Sequence, residues 1–365
     1  MQIVHVTECL AGGVLTFLLN LTQALDTEQH VIIFSRRDNT PDHVETLFGN
    51  HVKLVPWKYA GREIRAKQDF LALMALMKLL RQYPDADVVQ LHSSKAGFLG
   101  RLACRLLGRT KKVFYLPHGL SFAREDVSAR KKQFYMYLEK VGNAFCGDVI
   151  ACSTSERDLL VKTGIHNVHV INNGIRVADH RPVYRDLSYP LVIGTTGRLT
   201  YQKNPALFNE IARAFRSDKQ VRFLWIGDGE LRNAIEPADN VKVTGWLAPQ
   251  EVQNQLKGID LYISTALWEG LPYAVLEAMN LGKPLLLSDC VGNVDLVKIG
   301  MNGYCYHTCE EGIKRIRMLI DNFEEISRMG EFSYQYLAKS FSVLQMKKKY
   351  LYLYKNDMEK NEDYN

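Results

Sequence analysis

Two glutamates separated by seven residues, Glu269 and Glu277, bracket the run Gly270-Leu271-Pro272-Tyr273. The apolar stretch Asp260–Thr265 before them reads as a buried parallel strand. Pro272 fits a first helical position, and Gly282 falls just past the expected helix end. A helix start at the carboxyl edge of a strand presents backbone N–H groups and a dipole that favour negative charge. Carboxylates in turn accept hydrogen bonds from hydroxyls. With Glu269 in the loop and Glu277 inside the helix, a ligand carrying phosphate in its middle and hydroxyls at both ends suits the segment. A nucleotide-sugar has that layout.

Further chemistry-bearing residues fall where other strands should end. Gly194–Gly197 closes one strand, and Asn204 with Pro205 reads as an N-cap and first turn, which leaves Arg198 and Lys203 on a short loop between them. Two cations there can neutralise a diphosphate leaving group. Gly227 and Gly229 flank Asp228 after another strand, where glycine permits close approach of a flat ring. Trp246, after Gly245, either lies against such a ring or packs in the core. Gly12 and Gly13 join the first strand to its helix and admit a phosphate or sugar. His118 precedes Gly119 at a strand end, in reach of a hydroxyl. His92, Ser94 and Lys95 end another strand and open the following helix.

These positions need a scaffold of strand–loop–helix units. The 365 residues exceed what one core usually holds, and 47% hydrophobic with 24% charged is the composition of a soluble globular chain. β-branched runs at Gln2–Thr7, His30–Ser35, Val52–Trp57, Val88–His92, Lys112–Pro117, Asp148–Ser153 and Val168–Asn172 are mostly followed by helix-length amphipathic segments. The alternation lapses over the polar stretch Gly174–Pro190, the expected linker. It resumes at Leu191–Thr196, Val221–Gly227, Val241–Gly245, Asp260–Thr265 and Pro284–Ser288, and the pattern is helical after about residue 309. This is the mark of two parallel sheets wrapped by helices, an α/β class. Domains are expected at 1–180, joined by the last helix at 341–356, and at 181–340.

A net charge of +6, without an arginine-rich or glycine-aromatic segment, gives no nucleic-acid partner. Seven cysteines without metal-ligand spacing, and a strand entered directly from Met1, point to a reducing cytoplasm; Cys305 and Cys309 read as packing. The most apolar helix, Phe70–Leu80, is too short for a bilayer. Arg101, Arg105 and Arg109 recur every four residues, with Lys111, Lys112, Arg124, Arg130, Lys131 and Lys132 nearby. Such a surface either docks on an anionic membrane or is simply a solvated face. Asp85-Ala86-Asp87 resembles a metal-binding pair but precedes its strand, at the sheet's amino edge, so no metal and no cofactor are expected.

The run Glu-Gly-Leu-Pro-Tyr-Ala-Val-Leu-Glu from Glu269 to Glu277 resembles the signature of family 4 retaining glycosyltransferases, and Gly197-Arg198-Leu199 with Lys203-Asn204 is similar to the same family's phosphate loop. The likeness spans nearly the whole chain and is densest between 191 and 304. It implies the GT-B architecture, two Rossmann-like domains facing a cleft with the C-terminal helix crossing back onto the first; Phe341, Leu344, Leu351 and Tyr354 are the packing positions expected there. It implies metal-independent transfer of a hexose-type sugar from a nucleotide diphosphate donor, UDP before GDP, to an acceptor hydroxyl with retention. Arg198 and Lys203 hold the diphosphate and Glu277 the ribose. Glu269 contacts the sugar, assisted by Gly270, Leu271 and Pro272. His118 contacts and orients the donor sugar, and Gly12 and Gly13 line the opposite wall. Gly227 and Trp246 sit near the base, while His92, Ser94 and Lys95 face the acceptor, a glycan or lipid-diphosphate as in capsule and O-antigen synthesis. A carboxylate nucleophile and a same-face departure stay open as routes to retention. Two rivals are an epimerase of the same fold and a non-catalytic partner subunit.

Overall fold

The computed structural model describes residues 1–61, 63–178 and 187–356 and divides into two compact units. The first comprises Met1–Ala123, Ala129–Arg176 and the chain from Val343 on; the second comprises Arg124–Ser128 and Val177–Ser342. Of the expected linker, 179–186 lie outside the described residues, and so does the expected boundary at 180/181.

The first unit is a seven-stranded sheet of β1 (Gln2–Thr7), β2 (Gln29–Phe34), β3 (Val52–Pro56), β4 (Val88–His92), β5 (Val113–Leu116), β6 (Asp148–Ala151) and β7 (Val168–Val170), all parallel in the order β3-β2-β1-β4-β5-β6-β7. Helices α1 (Gly12–Ala24), α2 (Ala66–Leu80), α3 (Ser94–Leu106), α4 (Ala129–Phe145) and α5 (Thr154–Lys162) connect them. Strands covered on both faces read as unbroken apolar runs, and on one face Val4, Val6, Val31, Ile33, Val89 and Leu91 form the core with Leu73, Leu76 and Leu80 of α2.

The second unit holds β8 (Leu191–Thr196), β9 (Val221–Ile226), β10 (Val241–Val243), β11 (Leu261–Ser264), β12 (Leu285–Ser288) and β13 (Gly303–Tyr306), parallel in the order β10-β9-β8-β11-β12-β13. Its helices are α6 (Pro205–Arg213), α7 (Pro249–Lys257), α8 (Tyr273–Asn280), α9 (Cys309–Ile320) and α10 (Phe323–Ser340). Strand β13 has no counterpart among the expected strands. It is short, and Gly303 takes a φ of +157 because an added Cβ would meet the Leu285 carbonyl oxygen at 2.0 Å, so glycine there marks close strand pairing rather than a turn. The two sheets are Rossmann-like, as expected, and the chain has the GT-B fold class.

The last helix, α11 (Val343–Lys355), belongs to the first unit. Its buried positions are Met346, Tyr350, Leu353 and Tyr354. Tyr350 packs on Phe17 of α1, and the Tyr354 hydroxyl bonds the Gln90 side chain on β4. Of the expected packing positions, Phe341 and Tyr354 are buried, whereas Leu344 is exposed and Leu351 half-buried, because Met346, Tyr350 and Leu353 take the inward positions between them.

Candidate functional site

In an open parallel sheet the ligand crevice lies at the carboxyl ends where strand order reverses. In the second unit that point falls between β8 and β11, and the loops after these strands are Gly197–Asn204 and Thr265–Pro272. They are sewn together. The Leu267 N–H donates to the Gln202 carbonyl at 2.8 Å, and the Thr265 hydroxyl donates to the Lys203 carbonyl at 2.7 Å. The Gln202 amide donates to the Trp268 carbonyl at 2.8 Å and to Glu269 Oε2 at 3.3 Å.

Lys203 Nζ lies 2.6 Å from Glu269 Oε1, with both side chains largely buried. Burial works against its charge, but the Glu269 carboxylate and its hydrogen bond prevail and hold the ammonium above its usual range. Asn204 makes the tight turn behind it at φ +49, and its side chain accepts from the Leu207 N–H, with Pro205 opening α6 as expected. Pro272 is the N-cap of α8 rather than its first residue and supplies no side-chain cap. Glu277 lies one turn into that helix. Burial raises its carboxyl to about 7, against the pull of Lys203. One ammonium therefore acts on two carboxylates, one ion-paired and one about half-protonated at neutral pH. Arg198, at the end of β8, is exposed and makes no hydrogen bond or ion pair among the described residues.

Several supporting residues were not singled out in the sequence. Gly292, at φ +84, backs the signature loop: a Cβ there would sit 2.3 Å from the Gly270 carbonyl oxygen. The Glu269 N–H donates to the neighbouring Val291 carbonyl at 3.2 Å. Buried Asn293 donates to the Ser288 carbonyl at 3.1 Å and reaches Ser264, tying the ends of β11 and β12. Gln202 carries no motif signal, and the Gly292-Asn293 pair would have shown only as a turn.

The glycines at 227 and 229 also answer a packing need. An added Cβ would meet the Gly197 and Leu199 carbonyl oxygens at 2.2 and 2.5 Å, so their space is taken by the phosphate loop's own backbone. Trp246 is 66% exposed, which removes core packing as its role.

The switch point of the first unit lies between β1 and β4. Gly12, at φ +54, and Gly13 are exposed at the start of α1, with open space where each Cβ would project. Glu8 accepts from the Ser93 hydroxyl at 2.7 Å and the Ala96 N–H at 3.1 Å, so the β1 loop caps α3. His118 adopts a φ of +58, costly for a residue with a Cβ. Glu156, buried on α5, accepts from the next N–H, that of Gly119, at 3.0 Å and secures the turn. Burial lowers His118 to about 3, so its imidazole is neutral.

Two acceptor-side expectations need correction. His92 is fully buried with both ring nitrogens engaged, 3.1 Å from His5 and 3.0 Å from His118, and touches no acceptor. The Lys95 ammonium is bonded to Asp69 at 2.6 Å and to the Glu63 carbonyl, so it ties α3 to α2. Ser94, half-buried, lies 2.6 Å from the Ser121 hydroxyl. The arginine stripe also dissolves. Arg101 is buried against Glu139 at 3.0 Å and over the Tyr115 ring, and Arg109 donates to the carbonyls of Leu80, Tyr83 and Ala86. Of the three, only Arg105 is exposed. Asp87 accepts from the Gln2 N–H at 2.7 Å, at the amino edge of the sheet.

The family model described as "Glycosyl transferases group 1" matches residues 190–322, and that described as "Glycosyltransferase Family 4" matches residues 11–179. The chain is 32% identical over 269 residues to an Escherichia coli UDP-Gal:alpha-D-GlcNAc-diphosphoundecaprenol alpha-1,3-galactosyltransferase, covering 67% of this chain and 68% of that one. It is 26% identical over 351 residues to the Escherichia coli O-antigen biosynthesis glycosyltransferase WbnH, covering 92% and 96%. Among solved structures, Anabaena HepE in complex with UDP and glucose superposes with a TM-score of 0.76 at 18% identity, over 96% of this chain and 98% of that one.

Proposed function

The chain belongs to glycosyltransferase family 4, and we propose that it moves a hexose from a UDP-sugar to a hydroxyl of a lipid-diphosphate-linked glycan, with retention and without a metal. The observation that carries this reading is the ammonium of Lys203, ion-paired with Glu269 and acting electrostatically on Glu277, at the β8/β11 switch point. An arriving diphosphate takes Lys203 and Arg198 as counter-charges and meets the start of α8, where the dipole favours it. Lys203 then leaves Glu269, which is free to accept sugar hydroxyls, while Glu277 accepts from the ribose. As the glycosidic bond breaks, charge gathers on the diphosphate, and the two cations lower the barrier by stabilising it there. His118 takes part as a neutral imidazole, not as an acid. Two fixed cations supply the role a divalent ion fills elsewhere.

The relative acting on a diphosphoundecaprenol substrate supports a membrane-borne acceptor reached from the cytoplasmic side. No described helix is long and apolar enough to cross a membrane. With the arginine stripe of α3 mostly internal, α4 is the better docking surface: Arg130 and Lys131 are exposed there beside Phe134 and Tyr137. Co-sedimentation with anionic vesicles should weaken with salt and fall when Arg130 and Lys131 become Gln; binding indifferent to both changes removes this face from the account.

Thermal-shift screening against UDP, GDP, ADP and their sugars tests the donor. A ligand bound only by the folded form raises Tm, and the expected order places UDP-sugars first. A product formed from donor alone would instead make the protein an epimerase. Binding no nucleotide-sugar while activating a second transferase would make it a partner subunit.

A further inference from the structure

Four histidines stand side by side across four neighbouring strands of the first unit. His30 is on β2, His5 on β1 and His92 on β4, and His118 follows β5 two residues after its end. Their ring nitrogens meet in sequence: His118 Nε2 to His92 Nδ1 at 3.0 Å, His92 Nε2 to His5 Nδ1 at 3.1 Å, and His5 Nε2 to His30 Nδ1 at 3.0 Å. The row ends at His30 Nε2, which lies 3.1 Å from the carbonyl oxygen of Leu25. We infer that this row is a hydrogen-bond relay of fixed direction, which sets His118 as the Nε2–H tautomer and presents its Nδ1 as an acceptor.

The direction follows from its last member. A carbonyl oxygen only accepts, so His30 carries its proton on Nε2, and a neutral His30 then has a bare Nδ1. His5 must donate to it from Nε2, which leaves His5 Nδ1 to accept from His92. His92 Nδ1 in turn accepts from His118. Each ring is neutral at pH 7: burial pushes His5 and His92 well below the usual range, His30 to about 4 and His118 to about 3. The packing keeps the row dry. His5 and His92 are fully buried, and Phe17 of α1 sets its ring against both His92 and His118. His51 stacks edge-on against His30 but gives its Nε2 to the Thr22 carbonyl, so it does not join.

At the outer end, His118 Nδ1 has no partner among the described residues, and the ring is only half-buried. An imidazole fixed this way receives a hydrogen bond from a hydroxyl and repels a phosphate or carboxylate oxygen, neither of which can donate. On the transfer reading given above, its partner is therefore a hydroxyl of the donor sugar or acceptor, never the diphosphate. His92, His5 and His30 are positioning residues that act through His118.

The tautomers can be read without any substrate, so failure of the relay and failure of the transfer reading are separable. Long-range proton–nitrogen NMR on the full chain, labelled with 15N-histidine, should show His118 with a pyrrole-type Nε2 and a pyridine-type Nδ1. His30→Phe removes the carbonyl anchor, and the row can then run either way. The two His118 nitrogen shifts should collapse toward their mean although the substitution lies three rings away. A His118 protonated on Nδ1 in the unmodified protein overturns the inference, as does an unchanged His118 spectrum in a folded His30→Phe variant. Should that variant not fold, the unmodified spectrum alone decides.

Discussion

Replacing Glu277 by Gln should stabilise the ligand-free protein above neutral pH and cost it donor affinity. The reasoning starts from a carboxyl raised from 4.5 to about 7, chiefly by burial. Below pH 4.5 it is protonated in both folded and unfolded chains and contributes nothing to the pH dependence. Between 4.5 and about 7 the unfolded chain ionises while the folded one keeps its proton, so stability falls by about 1.4 kcal/mol per pH unit. Above 7 both forms are ionised, and the accumulated loss levels off at about 3 kcal/mol, or about 1 kcal/mol with water reaching the carboxylate. Glutamine carries no such loss. Urea denaturation of both proteins at pH 5 and pH 8 should therefore show the variant gaining between about 1 and 3 kcal/mol at the higher pH, an upward Tm shift of at least about 2 °C, and little at the lower. A variant no more stable than the parent at pH 8 would refute the burial argument.

The same carboxylate predicts that UDP-hexose binding, in which ribose hydroxyls favour its charged form, strengthens as pH rises through 7. Calorimetry in buffers of different ionisation enthalpy should record proton release that vanishes in Glu277→Gln. Arg101→Met leaves Glu139 buried without its partner and should cost about 3–5 kcal/mol in urea denaturation, whereas Arg105→Met should be within about 0.5 kcal/mol of the parent. Gly292→Ala drives a Cβ into the Gly270 carbonyl at a left-handed φ; it should lower sugar transfer at least about tenfold, a change of about 1.4 kcal/mol, and an unaltered rate would show the loop is not held from behind.

The α/β class was legible in the sequence because parallel strands announce themselves as apolar runs of five or six, and most lie within a residue or two of where they were expected. Strand β13 is not legible because the first of its four residues is a glycine, which reads as a turn and here serves pairing. The signature carboxylates and the Lys203 loop were legible from spacing, since caps and strand ends place them locally; Asn204 and Pro205 open α6 as read. What periodicity cannot carry is register. Arg101, Arg105 and Arg109 look alike at a spacing of four, yet Glu139 and three carbonyls, remote in the chain, draw two of them inward. His5 and His30 seemed ordinary strand residues because only sheet order brings them beside His92. Leu344 falls outside for a related reason, as Met346, Tyr350 and Leu353 set the buried face of α11 together with the expected Tyr354.

Titration of UDP-hexose into the unmodified protein and into Lys203→Met tests the central assignment most directly. A charged hydrogen bond to the diphosphate contributes about 1.5–3 kcal/mol, so the variant should bind at least about tenfold more weakly while remaining folded. Equal affinity in the two proteins would contradict the placement of the diphosphate beside Lys203 and Glu269.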